Sequence, residues 1–398
     1  MNAGNSPDSS MMSVSSESSS APSANSHAPG RRYARFLTVL KGREILDFGL
    51  NATELCRATR IARWLDVSEC YLKLETSHPT GTVKDRITEI VYSYFEAGRI
   101  RKYAHCSAGN AGTSLVWGAG KLSHPFEFES FIPETHLSRH NFKKIPGLTV
   151  ALVEGAEYEE AKQYCSWYAS EVIGQPEYMH FKSELRQQAN KVPYLEAFEQ
   201  LRDSKVDVDY VCQAISDGGG IIGAELAAMD AVAEGWIPKR PAFVISQPAV
   251  ANPVVRCFRK GFASYDPSCI VPKLQPSRAF AIRRTNASAY YAGIYAVIRN
   301  GGFALDATER EIRAAKLALF ELEKIDAGYT ACSSLAALKK ENQATGAFKG
   351  KTILVMITGV DRPTGIVPQI DRVIPESEWR KVIGLSGSSP RQLLRSSR

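Results

Sequence analysis

The sequence predicts an α/β protein built on a mainly parallel sheet. Short runs rich in Val and Ile alternate with helical patterns along most of the chain, the signature of strands covered on both faces. No run of about eighteen apolar residues interrupts that alternation, so no membrane span is expected. The length, 398 residues, allows two or three domains or one large two-lobed unit.

The expected strands cover residues 70–74, 126–132, 148–153, 210–215, 242–246, 280–283 and 352–357. Each is a short apolar run. The expected helices cover 82–97, 112–121, 158–173, 192–201, 220–233, 287–300, 308–322 and 332–340. The first follows the turn-forming residues Pro79, Thr80 and Gly81. The second follows a loop of small residues, and the fifth opens from three consecutive glycines. The seventh starts from Asp306 or Thr308, followed by Glu309 and Glu311, where negative charge suits the positive helix end. No internal repeat is visible. Residues 1–30 are Ser-, Ala-, Asn- and Pro-rich, and 385–398 are polar, Ser-rich and basic; both are expected to be disordered tails.

Composition narrows the function classes. The net charge is +7, yet no block of five or six like charges occurs, so no nucleic-acid partner is expected. The eight cysteines form no C-x-x-C pair and several sit inside apolar runs, which suits reduced cysteine in a cytoplasmic protein. They show no metal-ligand spacing, and no metal is expected. The N-terminus lacks the basic and apolar regions of a secretory signal, and Asp8 and Glu17, with no Arg before Arg31, argue against an organelle-targeting segment.

Four short segments carry candidate chemistry. KLETSHPTGTVKDR (73–86) places Lys84 just after a strand and a tight loop, at a helix start. A lysine presented there into a cleft, near positive charge, has the lowered pKa that imine formation needs. CSAGNAGTS (106–114) is a loop of small residues leading into a helix, whose amides can gather around a carboxylate. SDGGGIIG (216–223) follows a strand and opens a helix, a backbone cradle for phosphate. ILVMITGVDRP (353–363) ends a strand in Thr358, placing a hydroxyl at the carboxyl edge where open α/β sheets bind ligands. Read singly, each also fits an ordinary turn; their order carries the argument.

Together these segments resemble the tryptophan-synthase-β superfamily of pyridoxal 5′-phosphate (PLP) enzymes, fold type II, with threonine synthase the most similar branch. The resemblance spans roughly residues 45–370 and extends to ILDFGLNATELCRATRIARWL, GAEYEEA and GGFALDATEREIRAAKLAL. It implies that Lys84 forms the Schiff base and that Asn110 bonds the 3′-oxygen of PLP. It implies that 216–220 (Ser216, Asp217, Gly218, Gly219, Gly220) hold the phosphate and that Thr358 contacts the pyridine nitrogen. Ser107, Gly109, Ala111, Gly112 and Thr113 would bind the substrate carboxylate. The implied architecture is a large, mainly parallel domain (31–85 and 196–384), with a smaller movable α/β domain inserted at 86–195. A homodimer is implied, with an L-amino acid as substrate.

The chain departs from that pattern in places. Ser216 stands where many relatives have Gly, Asp217 lies beside the expected phosphate, and QQANKVPYLEA replaces a Gly-Gln-Lys-Thr-like segment. YTACSSLAAL replaces a segment richer in Pro and Glu. The residues for a substrate phosphate are not evident; Lys191, Arg186 and Arg283 are candidates. The expected activity is elimination or replacement on an activated L-amino acid, such as O-phosphohomoserine or a related phospho-amino acid. Alternatives are β-replacement on O-phosphoserine or an O-acylserine, threonine or serine ammonia-lyase activity, or a non-catalytic relative. A divergent member serving specialised metabolism would carry such departures.

Overall fold

The computed structural model describes residues 29–107, 109–124, 126–180, 182–361 and 366–384. The expected disordered tails therefore lie outside the described residues, except that Pro29 and Gly30 open a buried turn of helix.

Among the described residues, ten strands form two sheets. They are β1 (Leu55–Arg57), β2 (Glu69–Leu74), β3 (Lys102–Cys106), β4 (Glu127–Pro133), β5 (Leu148–Val153), β6 (Tyr210–Ala214), β7 (Ala242–Pro248), β8 (Phe303–Ala307), β9 (Thr352–Ile357) and β10 (Arg372–Ile374). The larger sheet has the order β1-β2-β9-β6-β7-β8, and only the β1–β2 pair is antiparallel. The smaller sheet, β10-β5-β4-β3, is wholly parallel. Strand β9 shows why: Ile353–Ile357 are all buried, so the strand is apolar on both faces. Only a sheet covered by helices on each side can bury such a strand. The α/β class with mainly parallel sheets is thus realised.

Segment 86–195 supplies β3, β4 and β5, but β10 comes from residues assigned in the sequence to the larger unit. The helix Glu376–Gly384 follows β10 onto the same face, where buried Trp379 donates to the Glu154 carbonyl (2.8 Å) and Tyr164 to Glu378 (2.5 Å). The smaller sheet is closed by the far end of the described chain.

Some elements differ from expectation. Residues 280–283 are not a strand: Phe280–Ile282 form a 3₁₀ turn, because the position beside β7 is taken by Phe303–Ala307. Their apolar spacing reflects a half-buried turn in which Ile282 alone is fully buried. The helix expected at 287–300 is shorter, Tyr291–Ile298. The one expected at 332–340 is longer, Tyr329–Thr345. Residues 158–173 are helical as Tyr158–Tyr168 followed by a wider π turn, Ala169–Ile173. Of the two candidate starts it is Thr308, not Asp306, that caps its helix, in a reciprocal box with Glu311.

No helix among the described residues is long and apolar enough to cross a membrane. All eight cysteines are free, and all but Cys56 are buried.

Candidate active site

Lys84 is the first residue of the helix Lys84–Ala97, and three sets of contacts fix its place. Strands β2 and β9 end in register, with Leu74 beside Ile357. The chain beyond them is tied together: Val83 N–H donates to the Thr358 carbonyl (3.0 Å), Val360 N–H donates to the Gly81 carbonyl (3.0 Å), and Thr82 bridges Gly359. Asp85 then accepts from the Thr80 amide (2.6 Å), closing the loop before the helix. Finally Arg86, 1% exposed, reaches back to Glu75 (2.8 Å), Glu196 (2.6 Å) and Thr53 (3.0 Å). Glu196 also takes Lys73 (2.5 Å), and Glu75 takes His78 (2.6 Å). Such buried charges persist only when all are paired.

The second segment follows β3. Ser107 Oγ accepts from the amides of Gly109 (3.0 Å) and Gly112 (2.8 Å), folding the loop around its own hydroxyl. Gly109 has φ +138°, and a Cβ there would lie 2.9 Å from the Arg139 carbonyl oxygen, so only glycine fits. Asn110 opens the helix Asn110–Ala119. The third segment joins β6 to the helix Gly219–Ala233. Gly218, at φ +80°, presses so closely on Ile294 that a Cβ would meet it at 2.5 Å.

These segments converge on one cavity. Its walls include Lys84, Ser107, Gly109, Asn110, Ala111, Ser216, Asp217, Gly218, Gly219, Gly220 and Thr358. Gly112 and Thr113 are not on its wall. Gly112 packs against His140 and Ser107, and the Thr113 hydroxyl accepts from the Asn141 amide. Of the three candidates for a substrate phosphate, the structure brings only Arg186 to the cavity. Lys191 is buried elsewhere, donating to the Phe36 carbonyl (2.6 Å), and Arg283 lies over the Phe280 ring.

Other wall residues were not singled out in the sequence: His105, Tyr158, Lys162, Tyr194, Gln213 and Arg284. Lys162 pairs with buried Glu177, which also meets His105 Nδ1 (3.2 Å). Tyr158 lies in GAEYEEA and Tyr194 in QQANKVPYLEA, but nothing local marks their roles or the other residues, whose partners are distant in sequence. Of the charged side chains on the wall, Lys84, Lys162, Arg186 and Arg284 are cationic, and Asp217 is the one carboxylate.

The electrostatics suit an imine-forming lysine. Burial, and next the Arg186 charge, push the Lys84 amine down to about 8, against the opposing pull of Asp217. Burial pushes the Asp217 carboxyl up, but the Arg186 charge and hydrogen bonds outweigh it and hold the group ionised. Burial lowers His105 to about 4, so it is neutral at physiological pH.

Several buried polar atoms on this wall lack a hydrogen-bond partner among the described residues: His105 Nε2, Arg186 Nε, Tyr194 Oη and Gln213 Oε1. Each such atom costs about 1–3 kcal/mol if left dry. Together with the glycine cradle and the low-pKa lysine, they fit a polar, phosphate-bearing aldehyde. No cluster of three or more His, Cys, Asp or Glu side chains able to hold a metal occurs among the described residues.

A helix-start lysine sharing a cavity wall with a glycine loop, in a two-sheet α/β fold, is the arrangement of a cofactor-dependent enzyme of the fold type II class. The family model described as "Pyridoxal-phosphate dependent enzyme" matches residues 46–359, and the chain belongs to that family. PLP is its cofactor. The chain is similar to threonine synthase from Methanocaldococcus jannaschii, with 25% identity over 82% of this chain and 79% of that protein. It is similar also to threonine synthase from Halalkalibacterium halodurans, with 22% identity over 91% of this chain and 98% of that protein. Among solved structures, serine racemase from Dictyostelium discoideum superposes with a TM-score of 0.59 at 17% identity, covering 84% of this chain and 96% of that one. The processed form of threonine deaminase isoform 2 from Solanum lycopersicum gives 0.59 at 15%, covering 90% and 89%. These structural likenesses establish the shared fold.

Proposed function

We propose that this PLP enzyme carries out elimination and replacement on an L-amino acid bearing a phosphorylated side chain, O-phosphohomoserine or a close relative. The observation that carries the reading is Lys84, held at the cavity wall with its amine brought down to about 8. PLP, when bound, acts as an electron sink that makes the substrate Cα–H acidic. Near neutral pH a useful fraction of Lys84 Nζ is uncharged, so the amine can take the Cα proton and return it elsewhere. Asn110 would orient the cofactor ring, and Thr358 would meet its ring nitrogen. A neutral hydroxyl there leaves that nitrogen less firmly protonated, which suits elimination and replacement. The loop at Ser107, Gly109 and Ala111 would seat the substrate carboxylate, with Gly112 and Thr113 supporting it from behind.

The substrate class rests on charge. Of the four cationic groups on the wall, Lys162 is paired with Glu177 and Arg186 with Asp217, which leaves Arg284 and the cofactor-binding Lys84. The wall is thus positive in balance, which suits phosphate-bearing ligands. The two threonine synthases support the same direction. One observation favours a second reading: Asp217 already engages Arg186 with two hydrogen bonds (2.7 and 3.0 Å), which weakens that residue as a seat for a substrate phosphate. β-Replacement on an O-acylserine is then the alternative. We further propose that the smaller sheet closes on the larger during turnover and that the chain acts as a cytoplasmic homodimer.

The test is a panel of O-phosphohomoserine, O-phosphoserine, O-acetylserine, serine and threonine. Release of inorganic phosphate, acetate, ammonia and keto acid is read with the holoenzyme. Phosphate release from a phospho-amino acid, faster than turnover of the others, is expected. Turnover confined to O-acetylserine would support the alternative, and ammonia release from serine or threonine alone would refute both.

A further inference from the structure

We propose that Arg186 and Arg284 are phosphate ligands that flank the loop 216–220, so that two guanidinium groups grip the cofactor's phosphate in addition to backbone amides. The proposal rests on the seating of PLP phosphate at this loop.

The loop carries a charge of the wrong sign for its task. Asp217 is ionised beside the helix start, and its Oδ1 accepts from the Gly219 amide (3.3 Å). One of the donors that a phosphate would use is therefore engaged by a carboxylate, and a bare Asp217 would repel a dianion. Arg186 answers both problems. It is 8% exposed, and its Nη1 and Nη2 are spent on Asp217 and on the Met179 carbonyl (2.8 Å). Its Nε is buried without a partner among the described residues. The guanidinium lies against the first residue of the helix Gly219–Ala233: a Cβ on Gly219 would stand 3.3 Å from Cζ and 3.4 Å from Nε. The free Nε–H thus stands beside the amide that Asp217 has taken.

Arg284 approaches from the other end of the loop. It is 3% exposed, lies 4.1 Å over the Tyr158 ring, and donates through Nη2 to Ser216 Oγ. Nη1 goes to the Arg283 carbonyl (2.9 Å), while Nε has Glu159 only at 3.9 Å. Against Asp217 in the loop itself the two arginines leave one net positive charge, with Glu159 standing farther off at 3.9 Å from Arg284 Nε. That sign is the one a phosphate dianion requires.

Apoprotein titrated with PLP and, separately, with pyridoxal, which lacks the phosphate, tests this by visible absorbance. The variants are Arg284→Gln, Arg284→Lys and the charge-balanced pair Arg186→Gln with Asp217→Asn, with Asp217→Asn alone as reference. Far-UV circular dichroism reports folding. PLP affinity is expected to fall about tenfold or more in Arg284→Gln and in the double variant, the loss of a charge-assisted hydrogen bond. Pyridoxal affinity is expected to stay within about twofold, and Arg284→Lys to retain part of the PLP affinity. Unchanged PLP affinity overturns the proposal. So does an equal loss for PLP and pyridoxal, which would mean a structural role. A folded wild type that develops no band with either ligand would overturn the seating on which the proposal rests.

Discussion

The Lys84 amine should behave as a base of about pKa 8, not as an ordinary lysine near 10.5. The difference makes about 300 times more free amine available at neutral pH. Capture of PLP by the apoprotein needs the uncharged amine. Its rate should therefore climb about tenfold per pH unit up to about 8 and then level off. Stopped-flow absorbance across pH 6–11 reads this directly. Arg186→Gln should move the midpoint upward, since that guanidinium is the second cause of the depression and Asp217 would then pull unopposed. Linkage supplies an independent reading. Between about 8 and 10.5 the unfolded chain holds a proton that the folded chain has released, so the apoprotein gains stability as pH rises through that window. The gain is about 3 kcal/mol relative to a Lys84→Met variant that lacks the group. A capture rate still climbing above pH 10, with no difference between wild type and Lys84→Met in the pH dependence of stability, would refute the reasoning.

Three further outcomes follow from the packing. Glu196→Ala leaves Lys73 and Arg86 buried with their shared carboxylate gone, and should lower apoprotein stability by about 3–5 kcal/mol in urea unfolding; a loss below about 1 kcal/mol would show the network is dispensable. Gly223→Ala sets a Cβ within 2.4 Å of Asn190 Cβ and 2.8 Å of its backbone carbon, so the helix Gly219–Ala233 must shift. A cost of about 1–3 kcal/mol is expected, with weaker PLP binding measured by fluorescence. Thr308→Ala removes one half of a reciprocal cap and should cost about 1 kcal/mol in thermal unfolding while leaving PLP affinity unchanged.

What the sequence disclosed was local. Lys84, the glycine run and Thr358 each sit at a strand end or helix start, where turn chemistry within a few residues announces them. Strand β9 was legible because its apolar run is unbroken. Strand β3 was not: Lys102 and His105 interrupt the pattern, and the Glu177 that meets the buried His105 ring lies far along the chain. The same limit hid the charged and aromatic groups that complete the cavity wall. The partnership of Arg186 with Asp217, and of Arg284 with Ser216, joins residues that no short spacing connects. Residues 280–283 misled in the other direction, since apolar alternation marks burial whether or not a neighbouring strand is free to pair.

The central claim is that Lys84 holds PLP, and the visible absorption spectrum of the protein with PLP, wild type beside Lys84→Ala, tests it most directly. The account predicts a cofactor band in the wild type that borohydride fixes onto the peptide containing Lys84, and no such band or labelling in a variant that is equally well folded. A variant that keeps the band and is still labelled, or a folded wild type that never develops the band with excess PLP, would contradict it.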